Sequence, residues 1–270
     1  MLKFISGVLK SPLDIRDYVI SSFLRIDALL PEYDYTTKMT PVRNQGNEGS
    51  CVGFAMVAGV KEYQEQTDYS KFINLSPRFL YENAKAISGH KEGTTLKAAM
   101  DVASKIGVCE EKYWPYIAQN AGKPAPEAYP DALKYKVATY ARITNLTELK
   151  GAICFIGPSL IGVKVYKGMV SDECKKTGIV PNPSWFHSVL GGHALCAVGY
   201  NDKSPYFKKD GHVKCKNSWG SDFGDKGYIY LSYTYIKKYM LDAFSSVDID
   251  DPAPYNILTV ENIKDRKAWI

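Results

Sequence analysis

The first half of the chain carries apolar residues at the spacing of helices. The run that begins at Cys51, "CVGFAMVAGVKEYQE", predicts a helix of about fifteen residues. The segment "SPRFLYENAKAI" (76–87) predicts a second helix, because Pro77 stands where the first helical residue would be. The segment "TTLKAAMDVASKIG" (94–107) predicts a third, with threonine at its start and glycine at its end. These segments favour a helical lobe over about residues 45–140.

After residue 140 the pattern changes to short runs with strand character, separated by Gly, Pro, Asn and Asp. The runs are "YKVATYARI", "SLIGVKVY", "HALCAVGY", "HVKCKNSW" and "GYIYLSY". Among them only "TNLTELKGAIC" (144–154) predicts a helix. The whole pattern predicts an α+β protein whose β-rich lobe covers about residues 141–248. Residues 1–29 then form an N-terminal extension and residues 249–270 a C-terminal tail.

Composition excludes several classes of protein. The chain has 270 residues, 45% of them hydrophobic, which is enough for a sizeable core. A net charge of +5 from 34 basic and 29 acidic residues is too small to indicate nucleic-acid binding. No apolar run reaches the roughly 20 residues that a bilayer requires. The N-terminus lacks the pattern of a secretory signal, and several of the six cysteines lie in strand-like runs, so we expect reduced thiols and an intracellular setting.

Cys51 follows a run of turn-forming residues and begins an apolar helix. It is a buried structural thiol, half of a disulfide, or a nucleophile. A thiol at a helix N-terminus meets unpaired N–H groups, which stabilise a thiolate. Position alone favours the structural role. Gln45 lies six residues earlier, close enough for its amide to point at the same substrate oxygen as the Cys51 N–H.

A catalytic thiol requires a base and an acceptor that orients the base. In "GGHALCAVGY", His193 stands at the mouth of a buried strand, after glycines that allow another backbone to approach closely. Asn217 ends the next strand-like run, and a strand, turn and return strand would bring it beside His193. Trp219 could lie over the bond between the two side chains and exclude water.

Three motifs occur in a particular order: "NQGNEGSC", "GGHALCAVGY" and "KNSWGSDFGDKGYIYL". Together they resemble the papain-like cysteine proteases, and the resemblance covers residues 30–248. It implies a two-lobe fold with a helical left lobe, an antiparallel β-barrel-like right lobe and an active-site cleft between them. Glu48 stands where the family usually has a disulfide-forming cysteine. This departure resembles the disulfide-poor branch found in prokaryotes and viruses.

The resemblance also implies roles for four residues. The Cys51 thiolate attacks the peptide carbonyl, His193 carries the proton, and Asn217 orients the imidazole. The Gln45 side chain and the Cys51 N–H form the oxyanion hole. The expected activity is endopeptidase cleavage of an extended peptide through an acyl-enzyme, without a metal or an organic cofactor. The same residues also support acyl transfer, as in a transamidase, deamidase or peptide ligase, and a non-catalytic scaffold is the third alternative.

The family's substrate-binding positions map onto both halves of the chain. They are Glu92, Gly93, Ser159, Leu160, Gly192, Ala194 and Trp219. Glu92 replaces a glycine of the family's cleft wall, and the main pocket, lined by Ser159, Leu160 and Val163 with Ala194, is expected to be apolar. The extension of residues 1–29 either occupies the cleft and inhibits the enzyme or braces the lobes from behind. The sequence slightly favours bracing.

Overall fold

The computed structural model describes residues 6–14, 17–22 and 29–247. The first helices lie where the apolar spacing predicted them. Helix α1 (Cys51–Phe54) continues through a π-helical stretch (Ala55–Lys61) into α2 (Glu62–Tyr69), and α3 (Pro77–Ser88) and α4 (Leu96–Lys105) follow. The remaining α-helices of the described residues are α5 (Ala128–Ala132), α6 (Leu146–Phe155), α7 (Asp172–Thr177) and α8 (Tyr233–Tyr239). No helix in the described ranges has the length and apolarity needed to span a membrane.

Side-chain caps fix where α3 and α4 begin. The Ser76 hydroxyl accepts the N–H of Phe79, and the Thr95 hydroxyl accepts the N–H of Ala98. Each cap satisfies one of the N–H groups that a helix leaves unpaired at its start. Gly107 follows α4 with a φ of +89°, a left-handed conformation that favours glycine. The predicted helices at 76–87 and 94–107 are therefore confirmed.

The second half forms most of one eight-stranded sheet. Its strands are β2 (Glu32–Asp34), β4 (Thr139–Arg142), β5 (Ser159–Tyr166), β6 (Ile179–Val180), β7 (Val189–Asn201), β8 (His212–Lys216), β9 (Tyr228–Ser232) and β10 (Met240–Val247). The order is β4-β10-β5-β7-β8-β9-β6, with β2 paired to β7. All pairs are antiparallel except β6 with β9. Among the described strands no pair closes the sheet, so the β-rich half is an open sheet rather than the expected barrel.

The helix that begins at Cys51 packs directly against the central strand β7. A Cβ added to Gly59 would lie 2.5 Å from the Cβ of Cys196, so glycine permits this close approach. All six cysteines are free and buried. This packing matters for the site, because it brings the start of a helix and the middle of a strand to the same cleft.

Residues 6–14, which we call the cleft segment, lie between the helices and the sheet. Strand β1 (Val8–Leu9) pairs in parallel with β3 (Thr94–Thr95), the two residues before α4. The expectation that the extension braces the lobes from behind is therefore wrong for this segment. Ile20 does pack in the main core. The C-terminal tail, residues 249–270, and residues 1–5, 15–16 and 23–28 of the extension lie outside the described residues.

An ionic cluster holds the chain where the cleft segment ends. Arg142 Nη2 lies 2.7 Å from Asp17 Oδ2, and Arg142 Nη1 contacts Asp242. Lys97 Nζ lies 3.6 Å from Asp17 Oδ1. The Ser11 hydroxyl accepts the backbone N–H of Lys97 at 3.1 Å. The end of the cleft segment and the residues just after it therefore have fixed partners in the body of the protein.

Candidate active site

Cys51 is fully buried at the first position of α1. Its Sγ accepts the backbone N–H of Ala194 at 3.4 Å. Ala194 follows His193 on β7, so this contact joins the helix that carries the thiol to the strand that carries the imidazole. The structure thus brings together two residues that stand 142 positions apart in the sequence (193 − 51).

Asn217 orients the imidazole of His193. The Nε2 atom of His193 lies 2.8 Å from Asn217 Oδ1. The indole of Trp219 stacks on the imidazole, with ring centroids 4.5 Å apart and planes 25° apart. The backbone N–H of Asn217 donates to the carbonyl of Gly227 at 2.9 Å, which anchors the main chain of Asn217 just after β8. The imidazole is therefore held on one edge and on one face.

Gln45 begins a loop, residues 45–51, that ends at Cys51. We call it the oxyanion loop, and Cys51 the nucleophile, after the roles that the family resemblance implies. Its Oε1 accepts the Ser218 hydroxyl at 2.6 Å, and its Nε2 donates to the Glu48 carbonyl at 2.7 Å. A carboxamide nitrogen has two N–H groups, so one remains to donate to a substrate oxygen. The side chain is held by both of its polar atoms, as a fixed donor requires.

Burial keeps Cys51 and His193 uncharged in this arrangement. It raises the pKa of the Cys51 thiol to about 12 from 9.0, although N–H groups, that of Ala194 foremost, partly oppose the rise. It lowers the pKa of the His193 imidazole to about 4 from 6.5, although the bond with Asn217 opposes this shift. The lowered thiol pKa expected from the helix terminus is therefore absent, because desolvation outweighs the N–H groups when the cleft is filled.

Comparison with known proteins agrees with this geometry. The papain family cysteine protease pattern matches residues 30–248. The chain belongs to the papain family of cysteine proteases. It is 31% identical over 207 residues to an uncharacterized peptidase C1-like protein of Acanthamoeba polyphaga mimivirus, a match that covers 72% of this chain and 64% of that protein. With mouse (Mus musculus) cathepsin K the identity is 30% over 201 residues, 74% of this chain and 58% of the cathepsin.

A solved structure of the same family has a similar fold. Xylellain, a cysteine protease from Xylella fastidiosa, superposes with a TM-score of 0.78 at 28% identity, and the match covers 90% of this chain and 96% of xylellain. Among the described residues, no group of three or more His, Cys, Asp or Glu side chains is arranged to hold a metal ion.

In this papain-family protein the cleft segment lies against the nucleophile. The N–H of Gly7 donates to the Gly192 carbonyl at 3.2 Å, and the Gly7 carbonyl accepts the N–H of Thr94 at 3.0 Å. A Cβ added to Gly7 would lie 2.3 Å from the Gly49 carbonyl oxygen and 2.6 Å from Cys51 Sγ. Only glycine fits between the oxyanion loop and the opposite cleft wall.

The carbonyl of Gly7 is bonded away from the oxyanion donors. Its partner is the N–H of Thr94, whereas the Nε2 of Gln45 donates to Glu48. A peptide carbonyl must point at the oxyanion donors when the sulfur attacks it. The Gly7–Val8 peptide bond is therefore close to the nucleophile without being arranged for cleavage.

Val8 occupies an apolar pocket beside the nucleophile. A Cβ on Gly162 would lie 3.1 Å from Val8 Cγ1 and 3.3 Å from Leu96 Cδ1, so Gly162 and Leu96 line this pocket. Of the residues predicted for the pocket, Val163 directly follows Gly162 on β5, whereas Ser159 and Leu160 lie two or three positions earlier. Both of these are fully buried, and the Ser159 hydroxyl donates to the Gly157 carbonyl just before the strand. The sequence predicted the bounds of β5 but not which of its residues face the cleft.

The other predicted substrate positions lie around the cleft segment. Gly93 is buried, and its N–H donates to the Tyr81 hydroxyl at 3.0 Å rather than to a peptide. A Cβ there would lie 2.9 Å from the Gly7 carbonyl oxygen. Glu92 is exposed on the same loop. Gly192 bonds the segment through its backbone, and its N–H also donates to the Ser6 hydroxyl at 2.9 Å.

Sequence reasoning missed the residues of the site that carry no reactive group. They are Gly7 on the cleft segment, Leu96 and Gly162 at the Val8 pocket, and Tyr116 and Ser218 beside the oxyanion loop. The one signal for the cleft segment was the small pair "SG" inside an apolar stretch, "FISGVL". Such a pair fits a segment that must pass close to another backbone.

Proposed function

We propose that this protein is a cysteine endopeptidase that hydrolyses peptide bonds through Cys51, His193 and Asn217. The observation that supports it most strongly is the contact of the Cys51 sulfur with the backbone beside His193, whose imidazole Asn217 holds at 2.8 Å. In the reaction the thiol proton passes to His193 and the sulfur bonds to the carbonyl carbon. The carbon–nitrogen bond then breaks, and His193 protonates the amine that leaves. Water, deprotonated by His193, cleaves the thioester and restores the thiol.

We also propose that the cleft segment inhibits the enzyme in cis. It fills the substrate position, and by excluding water it favours the uncharged thiol and imidazole. Release of the segment lets water in, so that proton transfer from Cys51 to His193 becomes more favourable. Because this transfer moves a proton from Cys51 to His193, opening of the cleft takes up no proton from the solvent.

A peptide-cleavage assay tests the endopeptidase proposal. The full chain is incubated with fluorogenic peptides that carry valine or leucine, and with an epoxysuccinyl probe that alkylates reactive thiols. We expect cleavage together with modification of Cys51, and loss of both in Cys51→Ser and His193→Ala. Cleavage that survives both substitutions would refute the proposed nucleophile and base. Amide products formed with an added amine, in place of acids, would indicate acyl transfer.

A further inference from the structure

The oxyanion loop has few backbone anchors, although it carries both proposed oxyanion donors. At one end the N–H of Gln45 donates to the Ser218 carbonyl at 2.9 Å, and at the other the Ser50 carbonyl accepts the N–H of Phe54 at 3.3 Å. Among the described residues, no backbone–backbone hydrogen bond joins residues 46–49 to the rest of the protein. Side chains must therefore fix the shape of the loop between its ends.

The hydroxyl of Tyr116 contacts both ends of the oxyanion loop. It donates to the backbone carbonyl of Gln45 at 2.7 Å and lies 2.6 Å from the hydroxyl of Ser50. It is also 3.0 Å from Glu48 Oε2. The single hydroxyl proton serves one acceptor at a time, and Ser50 supplies the second hydrogen bond by donating its own proton. The hydroxyl oxygen of Tyr116 thus links Gln45, whose side chain is a proposed oxyanion donor, to Ser50, the residue before Cys51.

Arg78, on α3, holds the middle of the loop and Tyr116 together. Its two terminal nitrogens bond the two carboxylate oxygens of Glu48, each at 2.6 Å, and one of them also donates to the Ile117 carbonyl at 2.6 Å. The guanidinium carbon lies 4.6 Å from the centre of the Tyr116 ring. Arg78 is fully buried, so its planar fork is held in one orientation.

The charge of Glu48 persists in this cluster. Burial acts to raise the pKa of its carboxyl group, but the bonds from Arg78, the N–H of Gln119 and Tyr116 outweigh burial and lower it. The ion pair is therefore present across the neutral range. Because Gln45 Nε2 donates to the Glu48 carbonyl, movement of Glu48 would also displace the oxyanion side chain.

We infer that Tyr116, supported by the Arg78–Glu48 ion pair, is a positioning residue for the oxyanion hole. This inference rests on the proposed peptidase function. Tyr116 does not touch the reacting atoms. It sets where the Gln45 amide and the Cys51 N–H stand relative to each other, and so how well they stabilise charge on a carbonyl oxygen. Misplacement of such a donor by about 1 Å costs up to about 10²-fold in rate.

The variant Tyr116→Phe removes only the hydroxyl. The matched control is Tyr235→Phe, which removes a hydroxyl bonded at 2.7 Å to the Lys164 carbonyl, away from the oxyanion loop. Both substitutions are made in the full-length chain, either in the wild type or in a Gly7→Ala background, whichever hydrolyses peptides faster. For Tyr116→Phe we expect kcat to fall about 10-fold with KM within about twofold, and binding of a peptide aldehyde to weaken about 10-fold, because only the tetrahedral adduct uses the hole. The rate of Cys51 alkylation by iodoacetamide should stay within about twofold, because alkylation forms no oxyanion.

A double substitution tests whether Tyr116 acts through Gln45. In a Gln45→Ala background, Tyr116→Phe should lower kcat by less than about threefold, because the donor that it positions is already gone. An unchanged kcat in Tyr116→Phe, full additivity with Gln45→Ala, or an equal fall in alkylation rate would each overturn the inference. If Tyr116→Phe fails to fold, Arg78→Lys provides the test with the same three readouts, because lysine keeps the charge but loses the fork.

The wild-type control separates this inference from the proposed function. If the wild type and Gly7→Ala neither cleave peptides nor bind the aldehyde, the peptidase proposal fails. If they do both and Tyr116→Phe behaves as Tyr235→Phe does, only the positioning role fails.

Discussion

Replacing Gly7 with alanine should activate the enzyme. The added Cβ would lie 2.3 Å from the Gly49 carbonyl oxygen and 2.8 Å from its carbon, both backbone atoms, and 2.6 Å from Cys51 Sγ. These distances fall about 1 Å inside normal contact, which is near 3.5 Å. The cleft segment cannot keep its position unless the oxyanion loop or the segment itself moves.

The magnitude follows from the cost of inserting a methyl group into a packed contact. Such overpacking costs about 1–3 kcal/mol. When the closed form dominates, the same free energy shifts the balance towards the open form by about 5–150-fold. Peptide hydrolysis and the rate of Cys51 alkylation should both rise by that factor, because both require an open cleft.

The assay compares the initial rate of fluorogenic-peptide hydrolysis in wild type and Gly7→Ala. Leu13→Ala is the control on the same segment, because Leu13 is 84% exposed and its loss should change neither rate. If Gly7→Ala folds normally and shows wild-type hydrolysis and alkylation rates, the cleft segment does not inhibit the enzyme.

Three further predictions concern the anchor, the pocket and pH. Asp17→Asn weakens the 2.7 Å ion pair with Arg142, so basal hydrolysis should rise by about 5–30-fold; an unchanged rate would show that the anchor does not hold the segment. Gly162→Ala narrows the pocket, so kcat/KM should fall about 10-fold more for leucine peptides than for alanine peptides, and an equal fall would contradict the pocket assignment. In Cys51→Ser, the imidazole is the only member of the Cys51–His193 pair that still titrates. Its pKa is about 4 when closed and 6.5 when solvated, so closure is stabilised above pH 6.5 and that contribution is lost as pH falls towards 4. A dye attached at Leu13→Cys should report opening over that range, and a signal independent of pH would contradict the shift.

The sequence predicted those parts of the structure that repeat a local pattern. The segment "SLIGVKVY" is β5 without a residue added or lost, and the helix starts at Pro77 and Leu96 follow from their caps. The three motifs pointed to Cys51, His193 and Asn217. Cys51 begins a helix and Asn217 follows a strand, as expected, whereas His193 lies inside β7 and not at the mouth of its strand. Strand β10, "MLDAFSSV", was missed because its polar residues interrupt any regular alternation.

The path of the cleft segment was not predictable in the same way. Its bonds run from backbone to backbone, as between Gly7 and Thr94, and such bonds leave almost no mark on side-chain composition. Two of the predicted pocket residues, Ser159 and Leu160, were misplaced because a strand pattern gives the alternation of faces but not which residues of the strand reach the cleft. The pKa of the Cys51 thiol is raised rather than lowered for a related reason. The cleft segment, which is distant in sequence, excludes water from the start of α1, and the sequence around Cys51 gives no sign of this.

The most direct test of the central claim is detection of the acyl-enzyme. Gly7→Ala is mixed with a peptide ester, quenched in acid within the first turnover, digested and analysed by mass spectrometry. The account predicts that the acyl group of the substrate is bound to the peptide that contains Cys51, and that it is absent in Cys51→Ser. Rapid turnover without this adduct, or with the acyl group on another residue, would contradict the account.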